Sequence, residues 1–305
     1  MSPELLVDRF PAMGGETEVQ ISAGSSADLA SVRSVFEAHE RTMSRFLPES
    51  ELCALNAAAG RPFVASPLLF DVISEACGWA CVTGGVFDPT LLDALEAAGY
   101  DRPFERISGS AAVLDRPKAQ AAGWRAIAFD FDRDTITLPA GVRIDLGGIG
   151  KGYTVDRVIE ALPAETSAMV NASGDLYAAG DGPEGDGWRI GVADPFEPAR
   201  DLATIVVRDR GVATSGSAKR SWAAGDVRYH HLIDADERTS SRSDLLAVTV
   251  LAPSATAADV LAKTAFLLGS VAGPRFTERS AGAACLVVTL RGDVLMTEGF
   301  QEYLV

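Results

Sequence analysis

Apolar residues recur at helical spacing from about Ala27 to Phe46 and from about Ser66 to Val82, which predicts two amphipathic helices, the first preceded by the capping signal Ser25-Ser26. Further helices are predicted from Tyr153 to Leu162 and from Ala255 to Leu268, the second closing at Gly269, a good helix stop. Alternating apolar and polar positions predict strands at about Ala126–Leu138, Met169–Asn171, Leu202–Val207 and Ala247–Ala252. A terminal hairpin of Ala284–Leu290 and Val294–Glu298 is expected to turn at Arg291-Gly-Asp. Helices thus alternate irregularly with antiparallel-looking strands. That order favours an α+β fold, with mixed, mostly antiparallel sheets and packed helices, over a regular βαβ array. The chain shows no internal repeat, and Gly180-Asp-Gly-Pro-Glu-Gly-Asp-Gly187 reads as a mobile loop rather than a domain boundary.

Composition narrows the partners. With 305 residues and 47% hydrophobic content, the chain can bury one large core or two smaller ones. A net charge of −15 argues against nucleic acid, whose phosphates demand a basic face. Charges interrupt the N-terminal stretch where a signal peptide needs an apolar core, and no apolar run approaches about 18 residues, so neither export nor a membrane span is expected. Cys53, Cys77, Cys81 and Cys285 form no CxxC, and Cys77 and Cys81 read as buried helical thiols. A reducing, cytoplasmic setting is the expectation.

Candidate chemistry concentrates in Arg143-Ile-Asp-Leu-Gly-Gly-Ile-Gly-Lys-Gly-Tyr-Thr-Val-Asp156, between a predicted strand and a predicted helix. Glycines allow close backbone approach to a ligand, and a helix N-terminus offers N–H groups to an anion. The run is neither a P-loop nor a dinucleotide fingerprint: Asp145 stands five before Gly150, Gly152 follows Lys151, and Gly148-Ile-Gly150-Lys-Gly152 gives G-x-G-x-G. On its own, such a turn is equally a packing device.

Seven further segments occur with it in a fixed order: Ala12-Met-Gly14, Ser44 to Asn56, Gly85-Val-Phe-Asp-Pro-Thr90, Asn171-Ala-Ser-Gly-Asp175, Ala213-Thr-Ser-Gly216, His230-His-Leu-Ile-Asp234 and Ala258-Asp259. Together they resemble the ApbE family of FAD:protein FMN transferases over essentially the full length. The resemblance implies one ApbE-like, T-fold-related domain over residues 1–305, leaving open two subdomains about an FAD cleft. It also implies an enzyme that cleaves FAD, attaches FMN by a phosphoester bond to a threonine of a target protein and releases AMP. Hydrolysis of FAD to FMN and AMP, and FAD binding without catalysis, stay open as alternatives.

Carried over residue by residue, the resemblance assigns FAD contacts to Met13, Phe46, Val86, Phe87, Asp88, Asp145, Lys151, Ser215, Gly216 and Ile233. Phe46 would meet the isoalloxazine face, and Lys151 would neutralise pyrophosphate oxygens. His231 is the base expected for the acceptor hydroxyl, since an imidazole titrates near neutral pH. Mg²⁺ is implied at the Gly148 carbonyl and Asp259. The third ligand position, commonly threonine, carries Lys263, so the metal is either lost or weakened, with the ammonium neutralising charge, or Lys263 swings away. Other departures are Gly15 for a common threonine, Ser173 for a common glycine, and Asp234-Ala-Asp-Glu-Arg238 for Asp-Pro-x-Thr-Gly.

Overall fold

A computed structural model describes residues 5–22, 28–107, 123–224 and 227–305; the Ser25-Ser26 capping signal lies outside them. The chain forms two compact units. Every ladder among the described residues is antiparallel, as the irregular order of helices and strands predicts.

The first unit comprises residues 1–36, 151–218 and 243–305. It is built on an eight-stranded sheet in the spatial order Leu5–Ala12, Gly15–Ser22, Ala168–Ala172, Asp175–Ala179, Arg210–Gly216, Leu245–Ala252, Ala284–Thr289 and Val294–Met296. Alternation works as expected in Gly15–Ser22, where Thr17, Val19 and Ile21 are buried and the intervening residues are not. Val19, Ile21, Val155, Val158, Ala168 and Val170 share one apolar cluster, so the helix after the glycine run is seated on the first strands of the sheet. The long helix Ala255–Arg279 packs on Arg210–Gly216 and Leu245–Ala252. No uninterrupted apolar run marks it, yet by length and mean hydropathy it is the one described helix able to cross a membrane, and most of its apolar window is buried in the fold. Gly269 breaks its regularity with φ 81° and ψ 178°, after which the helix resumes.

The second unit comprises residues 37–150 and 219–242. Its helices include Glu51–Ala57, Pro67–Val82 and Leu92–Ala97. Ser66 caps Pro67–Val82, its side chain accepting from Leu69 N, so the predicted boundary holds. The long strand expected over Ala126–Leu138 is instead two short strands, Ala128–Asp130 and Thr135–Thr137, joined through Asp134 at φ 47°. The intervening Asp130 takes the N–H of Asp132, an aspartate turn that competes with extension. Cys81 is exposed, which corrects its reading as a buried thiol; Cys77 is partly buried, and burial pushes its thiol up to about 12.

Candidate active site

In the second unit, Arg45 organises the residues around the start of the glycine run. Its buried guanidinium pairs with Asp145 at 2.9 Å, donates to Tyr100 O at 2.8 Å, and lies 4.1 Å and 4.5 Å from the ring centres of Phe46 and Tyr100. Phe46 and Tyr100 rings are 5.8 Å apart, and Tyr100 reaches Trp222 at 5.6 Å. Ile233 is buried in the same cluster. Trp222 is fixed by donating from Nε1 to Ala98 O at 2.7 Å. Phe46, Asp145 and Ile233, named separately in the sequence, are therefore drawn together.

The segment entering the run lies in no strand and is clamped by Asn56, whose Nδ2 donates to Ile144 O at 2.9 Å while its Oδ1 accepts from Ile144 N at 2.7 Å. Asp145 donates its N–H to Pro89 O at 2.9 Å and accepts from Gly147 N at 3.0 Å. Asp88 accepts from Thr90 N and Oγ1 at 2.7 and 2.6 Å, serving as a turn residue. Phe87 is buried beside the half-buried Val86, its N–H donating to Thr83 Oγ1. Gly148 is half-buried in the turn ahead of the helix.

Adjacent histidines differ in their bonds. His230 Nε2 donates to Ser241 O at 3.0 Å and Nδ1 accepts from Leu232 N at 3.3 Å, a pattern met by the neutral ring. Burial pushes its pKa down. His231 Nδ1 faces Arg220 O at 3.4 Å, a carbonyl that can accept a proton from Nδ1. The following turn closes without the missing proline and glycine. Asp234 Oδ1 accepts from Asp236 N and Glu237 N, both at 2.9 Å, and Arg238 takes the glycine-like φ of 51°.

The helix Gly150–Ala161, which belongs to the first unit from Lys151 on, starts earlier than predicted, inside the glycines. Lys151 pairs with Asp175, a buried carboxylate at the end of the Asn171–Asp175 turn that sequence reading quoted but did not place in the site. Gly152 is a packing residue: a Cβ there would lie 2.5 Å from Ala255 O and 2.9 Å from Thr256 Cα. Its N–H points to Asp259 Oδ2 at 3.5 Å. One turn on, Asp156 accepts from Ala255 N and Thr256 N, both at 2.8 Å, and from Thr256 Oγ1 at 2.5 Å, capping the late helix. Burial pushes the Asp156 pKa up against these bonds.

Met13, at φ 51°, turns the first hairpin and packs partly on its core. Gly15 lies beneath Ser173, where a Cβ would come 1.9 Å from the serine Oγ, so the two residues share one space. Ser215 and Gly216 end the strand facing Val248 and Ala247.

The ApbE family model matches residues 13–287. The chain belongs to the ApbE family. Among its relatives, a Treponema pallidum protein named FAD:protein FMN transferase is 32% identical over 271 residues, covering 80% of this chain and 72% of the relative. The crystal structure of the ApbE protein of Thermotoga maritima superposes with a TM-score of 0.87 at 25% identity, covering 98% of this chain and 99% of that one. The apo flavinyl transferase ApbE of Pseudomonas stutzeri gives 0.85 at 25% identity, covering 99% and 98%. The fold is accordingly the α+β ApbE fold.

The donor set does not complete the Mg²⁺ site that the ApbE family resemblance implies. Lys263 offers no oxygen, and the neighbouring Thr264 hydroxyl is buried and committed to Val260 O at 2.8 Å.

Proposed function

We propose that this chain is an FAD:protein FMN transferase acting on a threonine hydroxyl of a partner protein. The observation that carries the proposal is the match of residues 13–287 to the ApbE family, together with a 32% identical relative named for that activity. In the second unit Phe46 and Ile233 would receive the isoalloxazine ring, with Asp145 beside them and Val86, Phe87 and Asp88 contacting the nucleotide. Lys151, steered by Asp175, would neutralise pyrophosphate oxygens.

In the reaction the threonine Oγ attacks the FMN phosphorus, and the bond from that phosphorus to the bridging oxygen breaks. The bridging oxygen leaves with AMP. The hydroxyl proton passes to Nε2 of His231, whose tautomer is supported by the Nδ1 contact with Arg220 O. Positioning and charge neutralisation supply most of the catalysis expected for such a displacement. Mg²⁺ is not carried into this reading, because Lys263 stands at the ligand position.

The test is to incubate the chain with FAD and a threonine-containing peptide, following AMP by chromatography and peptide mass by spectrometry. FMN-peptide and AMP should form in equal amounts, and His231→Ala should suppress both while FAD stays bound. Free FMN and AMP without peptide would instead establish hydrolysis, and intact FAD beside tight binding would establish a non-catalytic flavoprotein.

A further inference from the structure

The late helix is fixed in rotation by two residues one turn apart on the preceding helix. Gly152 admits Ala255 at a distance no side chain allows, and Asp156 holds the N–H groups of Ala255 and Thr256. The face carrying Asp259 is thereby set, with its Oδ2 facing Gly152 N. Lys263 follows four residues later, and residues so spaced on a helix lie on one face with Cβ atoms about 5–6 Å apart. It is half-buried between the buried Ala262 and Thr264, so its stem is held by the fold.

Three facts of charge and chemistry then meet. A divalent cation at Asp259 would face an ammonium one turn away. The nearest hydroxyl in sequence, Thr264, is fully buried and stands five residues from Asp259, well round the helix from its face, with its proton donated to Val260 O. Lys151 spends part of its charge on Asp175, so a second cation is wanted where a pyrophosphate binds. A lysine ammonium is a compact charge with three donors, suited to phosphate oxygens.

We infer that Lys263 supplies the positive charge that a divalent ion would otherwise bring to the pyrophosphate, so that this chain holds FAD without a divalent metal. The inference rests on the flavin reading above.

Equilibrium dialysis of FAD and of riboflavin, which lacks the pyrophosphate, tests it in EDTA and in Mg²⁺. The intact chain should bind FAD equally in both buffers. Lys263→Thr should weaken FAD in EDTA by about tenfold, the scale of one charged hydrogen bond, and recover in Mg²⁺. Riboflavin affinity should be the same in both proteins, which also shows that the variant is folded. A Mg²⁺ requirement for FAD binding by the intact chain overturns the inference, as does a Lys263→Thr protein that binds FAD normally in EDTA. Failure of the intact chain to bind FAD in either buffer overturns the flavin reading beneath it. FAD bound with neither FMN-peptide nor AMP formed overturns transfer alone, and the dialysis results still decide the role of Lys263.

Discussion

Gly15 and Ser173 fill one space between two strands, although 157 positions separate Glu16 from the serine that donates to its carbonyl. A threonine at 15 meets the serine side chain, whereas threonine opposite glycine fits. Gly15→Thr alone should cost about 1–3 kcal/mol, the usual penalty of overpacking, and Ser173→Gly in the same chain should recover most of it. Denaturant unfolding of the two single variants and the double variant checks this, with additive losses ruling the coupling out. At this scale the sequence singled out charged residues, and Asp145 and Lys151 both enter ion pairs, with Arg45 and Asp175. It was silent where the partner is distant in the chain. Nothing in the glycine run announces that Gly152 serves a helix about a hundred positions on, or that Asp156 caps that helix, because such contacts leave no period to read.

Among elements, the hairpin segments around His230 show how a neutral imidazole can hold a turn. Its ring bridges Ser241 O and Leu232 N, and burial keeps its folded pKa below the ordinary value. The unfolded chain therefore takes up a proton first as pH falls. Stability contributed here is complete above about pH 6.5 and is lost between that value and the lower folded one. Urea midpoints at about pH 7.5 and about pH 5.5 should fall on acidification, and His230→Gln should shrink the fall. An unchanged pH dependence in the variant would show that other groups carry it. Helix positions were largely readable from period, as with the start at Ser66. Their ends were less so: the helix at Gly150 starts within glycines that propensity alone would leave out, since packing on the sheet outweighs the roughly 1 kcal/mol cost of a helical glycine. The aspartate-rich turn at Asp130–Asp134 likewise divided what alternation alone made one strand.

For the whole molecule, binding and folding are linked. A ligand held only by the folded chain adds about 2.7 kcal/mol of stability at about 100 times its Kd. FAD should raise the unfolding midpoint accordingly, and Phe46→Ala should reduce the rise at the same FAD concentration. Calorimetric scans at several FAD concentrations measure both, and a midpoint indifferent to FAD would contradict the flavin reading. The α+β class was visible in the order of elements, whereas the eight-strand order depends on returns of the chain between Ala179 and Arg210 and between Gly216 and Leu245 that no local pattern encodes.

Trp222, pinned through its indole N–H to Ala98 O among Tyr100, Ile233 and Phe46, gives the molecule an optical handle. An isoalloxazine received by that cluster would lie within range to accept the excitation of the indole. Tryptophan emission should therefore dim as flavin arrives, without any label, and Trp222→Phe should reduce the change.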